Sequence, residues 1–373
     1  MWIKKIKFRV RGLAVWAKKP IKFSEVKLIY SLAGLVFLTA LVLLVYFVFG
    51  LIYSPRPKSA TELSVNSTSA EKECEHKRIL DGICVGSSRH INPDVVAIMI
   101  ENNLEAWPLS GVAAASIVYE APVEGNIPRY LAIYAADTEI EQVGPVRSAR
   151  PYYLDWAAEY GNLMYMHVGG SPEALALIDT YNIFNINEFY RGWYFWRENG
   201  TRKAPHNTYT SRALWEKALV DYRPYSEREN YDGWVFDKVA DCVADCVAEI
   251  IVSFSPERAY QAIWKFNTST QKYVRFQGDF PARDIDGEEI SADTVIVQRV
   301  KAKIIDEVGR REINTIGRGE AVIFRNGQAF SGQWLKVSRK DRTQWYDDDE
   351  NLISLRAGKI WIEVLPENKE LSY

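Results

Sequence analysis

The sequence predicts an α+β protein in three parts: an N-terminal transmembrane helix, a mixed α/β domain whose helices pack on a sheet, and a mostly antiparallel β domain. Three observations support this fold class. A long uncharged apolar run lies near the N-terminus, strand-like and helix-like runs alternate in the first half of the main body, and short strand-like runs follow one another in the second half. A chain of 373 residues also exceeds the usual size of one domain. We therefore expect a cytoplasmic basic segment (1–27), a transmembrane anchor (28–53), a flexible extracytoplasmic linker (54–90), the α/β domain (91–231), a connector (232–249), the β domain (250–366) and a tail (367–373).

Charge is distributed unevenly along the chain. The formal net charge is −2, yet residues 1–27 hold nine basic side chains and a single acidic one, Glu25. The remaining residues are therefore mildly acidic, and an acidic body has no overall attraction for nucleic acid. We expect no nucleic-acid partner, and the basic N-terminal end requires its own explanation.

The uncharged run supplies that explanation. Residues 28–53 contain no Asp, Glu, Lys or Arg, and as a helix they are long enough to cross the core of a bilayer. Because the basic residues precede the run, the positive-inside rule places the N-terminus in the cytoplasm and the later domains outside. The run is too long for the apolar core of a cleaved signal peptide, and no cysteine near its end could take a lipid. We expect a signal anchor that makes a single-pass protein of the cell membrane, with the lipid bilayer as the partner of residues 28–53.

The linker at 54–90 is rich in Ser, Pro, Lys and Glu, which is typical of a flexible tether. Cys74 and Cys84 lie in it, and Cys242 and Cys246 lie in a VADCVADCVAE stretch. An oxidising compartment allows a local disulfide between Cys74 and Cys84, but four cysteines allow three pairings and the sequence leaves the choice open. A CxxxC pattern without a companion histidine is weak evidence for zinc, so we expect no metal and no cofactor.

In the first folded unit, one strand-like run passes through Gly169 and Gly170 into the N-terminus of a predicted helix. Ser171 suits the N-cap of that helix, and a proline follows it. Such a junction exposes backbone N–H groups and the positive end of a helix dipole, which together can bind an anion. His167 lies at the carboxyl end of the strand, where ligands gather in α/β sheets. The alternative is a tight turn that needs glycine for its backbone angles, with His167 as a buried structural residue.

A second cluster lies in the motif GPVRSARP. Arg147 and Arg150 flank Ser148, a candidate helix N-cap, so guanidinium groups and helix N–H groups could converge on one carboxylate or phosphate. Alternatively, the arginines pair with nearby acids such as Glu120 and Glu124 in YEAPVEG. Paired carboxylates could also do acid–base work.

His206 and Asn207 precede another capped helix, in the motif APHNTY. Polar residue types of this kind, gathered in Gly- and Pro-rich turns of one unit, predict a polar pocket. Its ligand-binding candidates are Arg147, Arg150, Ser148, Gly169, Gly170, Ser171 and Asn207. Its catalytic candidates are His167, His206, Glu120 and Glu124.

The second folded unit shows short runs of alternating apolar and polar residues, as in half-buried antiparallel strands. Asn326-Gly327 between two such runs is a strong signal for a two-residue hairpin, and we expect a sandwich or a small barrel. The aromatic residues of this unit either fill its core or line a carbohydrate-stacking face. The candidates for such a face are Trp264, Tyr273, Trp334, Trp345 and Trp361.

Four ordered motifs carry a family resemblance: YEAPVEGNIPRY, VGPVRSARPYY, MHVGGSPEA and APHNTY. Together with WKFNTSTQKYVRFQG and GQAFSGQW, they resemble the YerB-like family of bacterial extracytoplasmic proteins, often lipoproteins, over about residues 91–366. That family is classed as a domain of unknown function with an N-terminal and a C-terminal part. The resemblance implies a place in the bacterial cell envelope, although this chain departs from the lipoprotein form by using a transmembrane helix. It supplies no established catalytic role for the residues that match its motifs, which are Glu120, Glu124, Arg147, Arg150, His167 and His206.

Three classes of function fit these observations. The favoured one is an envelope protein that binds an anionic or glycan ligand, such as a cell-wall polymer, through a polar Arg/His/Glu pocket. It agrees with the lack of a recognisable triad, nucleophile elbow, P-loop or metal motif. The alternative is a cell-envelope hydrolase or transferase in which histidine and glutamate exchange protons while arginines hold an anionic substrate. A further alternative is a scaffold for a protein partner, whose identity the sequence does not give.

Overall fold

The computed structural model describes residues 39–44, 74–200, 202–238 and 240–373. Residues 39–44, inside the predicted anchor, are helical and exposed, whereas the rest of the anchor and the basic segment 1–27 lie outside the described ranges. Within those ranges, no helix is both long enough and apolar enough to cross a membrane. The chain divides into two units, Met1–Glu71 and Lys72–Tyr373. The elements below all belong to the second unit.

The second unit is α+β, as predicted, with most of its regular structure in strands. Its α-helices are α1 (Pro151–Ala157), α2 (Pro172–Thr180), α3 (Glu188–Arg191) and α4 (Arg212–Tyr222). Short 3₁₀ turns lie at Ser88–His90, Leu104–Ala106, Val112–Ala114, Glu124–Asn126, Ala158–Tyr160, Gly192–Tyr194, Arg223–Tyr225 and Arg258–Tyr260. Proline begins both α1 and α2, where its missing N–H leaves no helical hydrogen bond unmade. Ser171 caps α2 as predicted, because its Oγ accepts a hydrogen bond from Ala174 N at 3.3 Å.

Ten strands form one large sheet to which both halves of the chain contribute. Across the sheet the order is β18 (Gln344–Tyr346), β17 (Gln328–Lys336), β16 (Gly317–Arg325), β13 (Thr294–Val300), β19 (Ile360–Pro366), β2 (Ile117–Pro122), β3 (Pro128–Ala135), β1 (Val95–Glu101), β4 (Met164–His167) and β5 (Asn185–Asn187). The halves meet where β19 pairs in parallel with β2, and β19 is also parallel to β13. The domain boundaries at 91–231 and 250–366 stay predictions, and the structure adds that both stretches supply strands to this one sheet.

A second sheet is antiparallel and comes from the C-terminal half. Its order is β11 (Phe280–Pro281), β10 (Lys272–Gln277), β9 (Gln261–Asn267), β8 (Glu249–Ser253) and β20 (Glu370–Ser372), with β12 (Ser291–Ala292) also paired to β10. Two small ladders join β14 (Ala302–Ile304) to β15 (Arg311–Ile313) and β6 (Trp196–Arg197) to β7 (Thr208–Tyr209). The predicted hairpin is confirmed: Asn326 and Gly327 both have positive φ and join β16 to β17.

Burial on both faces of the large sheet creates two cores. In β1, Val96 and Ile98 face the core that the second sheet and α4 also contribute to, whereas Val95 and Ala97 face the core beneath α1 and α2. The large sheet therefore lies between a helical layer and a second layer of strands.

The aromatic residues offered as a carbohydrate-stacking face are core residues, so that hypothesis is wrong. Trp264, Tyr273, Trp334, Trp345 and Trp361 are each at most 2% exposed. Large rings fill the space between layers that pack about 10 Å apart.

Both cysteine pairs are local. Cys74 is bonded to Cys84, and Cys242 is bonded to Cys246. The structure thus selects one of the three pairings that the sequence left open, and none of the cysteines is free.

A fully buried charge cluster joins the two sheets. Arg275 of β10 places Nη2 2.8 Å from both carboxylate oxygens of Glu120 in β2, and Glu363 of β19 lies beside Glu120 in the parallel register. All three side chains are 0% exposed. Trp361 Nε1 donates to Glu120 at 3.1 Å, and Trp264 Nε1 donates to Glu363 at 2.7 Å.

Burial and the adjacent charge of Glu120 raise the pKa of Glu363 well above its ordinary value. This direction favours a neutral Glu363, in which case the cluster balances one negative charge, on Glu120, against one positive charge, on Arg275; Oε2 of Glu363 has no hydrogen-bond partner.

Removing both carboxyls should cost far more stability than removing either one. In Glu120→Gln or Glu363→Gln, the remaining glutamate can ionise opposite Arg275, so we expect the free energy of unfolding to fall by at most about 2 kcal/mol. The double variant leaves Arg275 buried without a counter-ion and should lose about 3–5 kcal/mol or fail to fold. Urea unfolding measures these losses. The control Glu249→Gln/Glu312→Gln, which neutralises two exposed carboxyls, should stay within about 1 kcal/mol of the wild type. Strictly additive single losses would contradict the shared charge.

The effect of Glu363→Gln should also depend on pH. A carboxyl with a raised folded-state pKa contributes stability that is complete below its unfolded-state pKa of about 4.3 and is lost as the pH rises. Glutamine does not titrate, so the melting temperature of the variant relative to the wild type should increase between about pH 5 and pH 8. Thermal unfolding followed by circular dichroism measures this difference. A difference that stays constant over this range would show that Glu363 does not carry the raised pKa.

Candidate functional site

A small cleft lies where β1 ends and β3 begins. The antiparallel register of these strands places Glu101 directly opposite Arg129. The segment after β3 returns to the same place, because Arg147 N donates to Met99 O at 2.8 Å and brings the Arg147 side chain to the cleft. The cleft has a volume of about 180 Å³ and is lined by Glu101, Asn102, Asn103, Val123, Glu124, Ile127, Pro128, Arg129 and Arg147.

Arg129 is a buried cation that forms no direct ion pair among the described residues, although its charge acts to lower the pKa of the nearby Glu101 and Glu124 carboxyls. Its side chain is 7% exposed, Nη1 donates to Ser148 O at 2.6 Å, and Nε has no hydrogen-bond partner. Within the described ranges, no carboxylate oxygen lies within 4.0 Å of its guanidinium nitrogens. Burial, followed by the like charge of Arg150, lowers the pKa of Arg129 to about 10. The burial of Arg129 and the nearby charge of Arg150 thus both disfavour its protonated, positively charged form.

Glu101 connects Arg147 to His206. Arg147 Nε lies 3.3 Å from Glu101 Oε2, and His206 Nδ1 lies 2.8 Å from the same oxygen. The other oxygen, Oε1, is buried and has no hydrogen-bond partner. Burial raises the pKa of the Glu101 carboxyl, although the charges of Arg147 and His206 oppose this shift. The second ring nitrogen of His206 lies 3.2 Å from Glu105 Oε2.

Arg150 and Glu124 form a bidentate ion pair at the edge of the cleft. Arg150 Nε and Nη2 donate to the two carboxylate oxygens of Glu124 at 2.7 and 2.8 Å, and Nη1 donates to Ala149 O at 2.7 Å. Burial alone would raise the pKa of Glu124, but the hydrogen bonds and charge of Arg150 outweigh it and lower that pKa. With its donors occupied, Arg150 supports the cleft rather than facing a ligand.

The predicted N-cap Ser148 is wrong. Helix α1 begins at Pro151, and Arg150 occupies the N-cap position without a side-chain cap. The carbonyl of Ser148 instead accepts the hydrogen bond from Arg129. Proline sets the start of the helix because its fixed φ suits the first helical turn.

The His167 turn packs beside the cleft segment but does not open into the cleft. Val168 N donates to Arg147 O, and Ala149 N donates to Gly169 O, both at 3.0 Å. His167 is 0% exposed: Nδ1 lies 2.7 Å from Gly169 O, and Nε2 lies 3.4 Å from Asn185 Oδ1. Burial lowers the pKa of His167.

Gly169 has a structural reason to be glycine. Its φ is +58°, and a Cβ at this position would lie 2.6 Å from the ring of Phe189. Phe189 is 67% exposed, and two aromatic residues that follow it closely in the chain, Tyr190 and Trp193, are 77% and 56% exposed.

The structure therefore brings some of the predicted site residues together and separates others. Arg147 and Glu124 line the cleft, Arg150 pairs with Glu124, and His206 reaches the cleft through Glu101. Asn207 instead donates to Glu198 O at 2.8 Å and accepts from Arg197 at 3.3 Å. The predicted site residues that do not line the cleft are Glu120, Arg150, Ser148, His167, Gly169, Gly170, Ser171, His206 and Asn207. The functional roles given to all these residues remain predictions.

Sequence reasoning missed two residues that shape the cleft, Glu101 and Arg129. Glu101 ends a run of apolar residues, and Arg129 lies inside the motif NIPRY. A charged residue at the end of a buried strand could have been noticed, but their pairing depends on the register of β1 and β3, which no local pattern supplies.

Comparison with known proteins agrees with this architecture. Residues 82–223 match the N-terminal domain, and residues 250–362 the C-terminal domain, of the family described as "Protein of unknown function (DUF3048)". The chain is 27% identical over 275 residues to "Putative lipoprotein YerB" of Bacillus subtilis (strain 168), an alignment that covers 73% of this chain and 81% of YerB. The crystal structure of YerB superposes with a TM-score of 0.70 at 26% identity and covers 80% of this chain and 99% of that chain. The chain therefore belongs to the YerB-like family, whose N-terminal and C-terminal parts it carries in the same order.

Proposed function

We propose that this chain is an extracytoplasmic envelope protein that binds an anionic group of an envelope polymer in the cleft between Arg129 and Arg147. The lipoprotein name of YerB supports a location outside the cytoplasm, on a membrane. In this chain residues 28–53 take over the anchoring, as a single-pass span with the N-terminus in the cytoplasm.

The observation that carries the proposal is the unpaired charge of Arg129. Burying a guanidinium costs several kcal/mol unless an anion and further hydrogen bonds compensate it. One backbone carbonyl is a weak substitute for an anion, and Nε has no acceptor at all. A ligand oxyanion in the cleft would supply both the charge and the missing acceptor.

Arg147 adds a second donor group to the same cleft. It uses only Nε on Glu101, so within the described part of the chain both of its Nη groups remain for a ligand. A guanidinium fork of this kind matches the oxygens of a phosphate or a carboxylate. The two arginines together favour an anion over a neutral sugar.

The carboxylates of the cleft narrow the ligand further. Glu101 and Glu124 would repel a dianion, so a singly charged group such as a phosphodiester or a sugar carboxylate fits better. The unpartnered Oε1 of Glu101 can accept a hydrogen bond from a hydroxyl beside that anion. The volume of the cleft, about 180 Å³, also suits a small ligand group: it has room for one charged group and an adjacent hydroxyl-bearing unit, but not for several units of a polymer. We infer that the ligand is an anionic, hydroxyl-rich polymer and that the cleft binds one of its units.

The hydrolase or transferase alternative finds less support in the geometry. A general base needs a nitrogen or oxygen that faces its substrate. His206 has a carboxylate at each ring nitrogen, and both nitrogens of His167 have protein partners in a fully buried ring. Neither imidazole presents a free nitrogen to the cleft, so we favour binding over catalysis.

Replacing Arg147 should weaken binding without harming the fold. We expect Arg147→Gln to lower the affinity for purified cell-wall material about ten-fold or more, since a hydrogen bond to a charged group is worth about 1.5–3 kcal/mol. Cosedimentation of the full-length protein in a non-ionic detergent measures the retained fraction. Arg258→Gln is the matched control, because it removes the same charge from an exposed pair with Asp279.

Three outcomes of that experiment are informative. Walls stripped of phosphate-containing polymers should retain less protein if the anion is a phosphodiester, and the same amount if it is a carboxylate. Equal loss in Arg147→Gln and Arg258→Gln would show that only overall charge matters and would contradict the cleft. Soluble fragments released by the wild type and absent with His206→Ala would favour the enzyme instead.

Replacing Arg129 should separate stability from binding. Arg129→Met removes a buried charge that forms no direct ion pair among the described residues, so the melting temperature should stay the same or rise, while wall retention should fall at least as far as in Arg147→Gln. Such opposite effects are typical of residues kept for function at the expense of stability. Differential scanning calorimetry and the sedimentation assay measure the two quantities. A clear fall in melting temperature would show that Arg129 is structural.

The proposed anchor predicts a definite topology. In intact cells without an outer membrane, added protease should digest the domains after residue 53, and a label on the N-terminus should be protected. Deleting residues 1–53 should leave the remaining chain in the cytoplasm, because it lacks the export signal. Immunoblots of shaved and fractionated cells measure both effects. Digestion of the N-terminal label would contradict the orientation.

A further inference from the structure

A second concave surface shares no lining residue with the arginine cleft. It is a groove of about 1220 Å³ between residues 139–142, the start of α4 and the loop at 284–288. Both halves of the chain contribute, since Ile285 N donates to Leu109 O at 2.7 Å and holds the loop in place. The volume exceeds that of an ordinary small-molecule pocket, which is about 300–1,000 Å³.

The groove is strongly acidic. Its lining includes a single cation, Arg212, which is already paired with two of the acids, Glu139 and Glu216. Three further carboxylates have no ion-pair partner among the described residues, and they are exposed: Glu141, Asp286 and Glu288. Carboxylates gathered without counter-ions repel one another, so a cation in the groove would be favourable.

Asp284 gives the groove a buried acceptor. Its side chain is 3% exposed, Oδ2 accepts from Ala113 N at 2.7 Å, and Oδ1 has no hydrogen-bond partner. Lys359 contributes a positive charge nearby, but its ammonium donates to the carbonyls of Val112 and Ala113 at 2.6 and 2.5 Å. Burial raises the pKa of Asp284 to about 6. A buried oxygen without a donor is rare and calls for a partner, which a ligand N–H would provide.

Apolar side chains lie among these acids. Ala113, Ala114, Ile140 and Ile285 line the groove, and Ile285 is 54% exposed. A bound metal ion would not need these apolar side chains, and within the described ranges no three His, Cys, Asp or Glu side chains are placed so that together they could hold a metal ion. An anionic polymer or an anionic lipid surface would be repelled by the carboxylates.

We propose that this acidic groove binds a peptide segment of a partner protein in which lysine or arginine alternates with apolar residues. The basic side chains would meet the exposed carboxylates, one N–H would reach Asp284 Oδ1, and the apolar side chains would cover Ile140 and Ile285. The proposal is independent of ligand binding in the arginine cleft.

The test uses the full-length protein in a non-ionic detergent and two labelled probes. One peptide alternates lysine with leucine, and the other alternates glutamate with leucine. Fluorescence anisotropy should show binding of the lysine peptide alone, weakened by added salt. In Glu141→Gln/Asp286→Asn/Glu288→Gln, which keeps side-chain shape and removes three charges, the affinity should fall about ten-fold or more.

The matched control is Asp348→Asn/Asp349→Asn/Glu350→Gln, which removes three charges from an exposed turn outside the groove. It should bind like the wild type, and both triple variants should keep the wild-type melting temperature. Asp284→Asn should weaken binding as well, and the triple variant keeps the test valid if Asp284→Asn does not fold. Equal losses in the two triple variants would overturn the groove as the site. Displacement of the peptide by micromolar calcium, absent in the groove variant, would overturn the peptide in favour of a cation.

Discussion

The buried cluster of Arg275, its ion-pair partner Glu120 and the adjacent Glu363 is the constraint on which the rest of the fold depends. It lies at 0% exposure where three elements meet: β2 from the N-terminal half, and β19 and β10 from the C-terminal half. A buried ion cluster is weak evidence for stability, because the same volume filled with apolar side chains is often as stable. What such a cluster can add is specificity: the observed register of β19 against β2 places Glu363 directly beside Glu120, and a slip of one residue would move Glu363 to the other face of the sheet.

Contacts between the two halves also support both candidate sites. The cleft belongs to β1, β3 and the segments near them, yet Arg311 of β15 braces it from the C-terminal half. Arg311 Nε donates to Val123 O at 3.0 Å, and Nη2 donates to Asn126 Oδ1 at 2.6 Å. The acidic groove is likewise closed by a loop of one half against a turn of the other. The groove is lined by both halves, and the cleft, although lined by the N-terminal half alone, is braced by the C-terminal half, so the two matched family parts act as one structural unit.

Local sequence signals predicted those features that local chemistry decides. Asn326-Gly327 gives its hairpin and Ser171 caps its helix, because each involves residues within a few positions of one another. The N-cap of α1 was misplaced by two residues, at Ser148 instead of Arg150, because Pro151 was the better signal for the start of the helix. Two features could not be predicted: β19 lies between β13 and β2, parallel to both, and Glu101 lies opposite Arg129. Both depend on pairing between strands that are distant in the sequence. The large aromatics were ambiguous for the same reason: rings suit a core as well as a surface.

Charge at the two surfaces bears on how an acidic protein would bind the anionic polymer that we propose as its ligand. Net repulsion extends over about one Debye length, about 8 Å at physiological ionic strength, so long-range steering does not bring such a ligand to the cleft. Recognition must instead come from contact, and a buried guanidinium is effective there because the low local dielectric strengthens its interaction with an anion. The cost of burying Arg129 is thus the reason that its affinity can be local and selective. The acidic groove differs, because its carboxylates are exposed and have the same sign as the net charge of the body, so within the screening length both would attract a basic partner. If both proposals hold, the two surfaces share no lining residue, so a polymer in the cleft and a peptide in the groove would not compete for the same side chains.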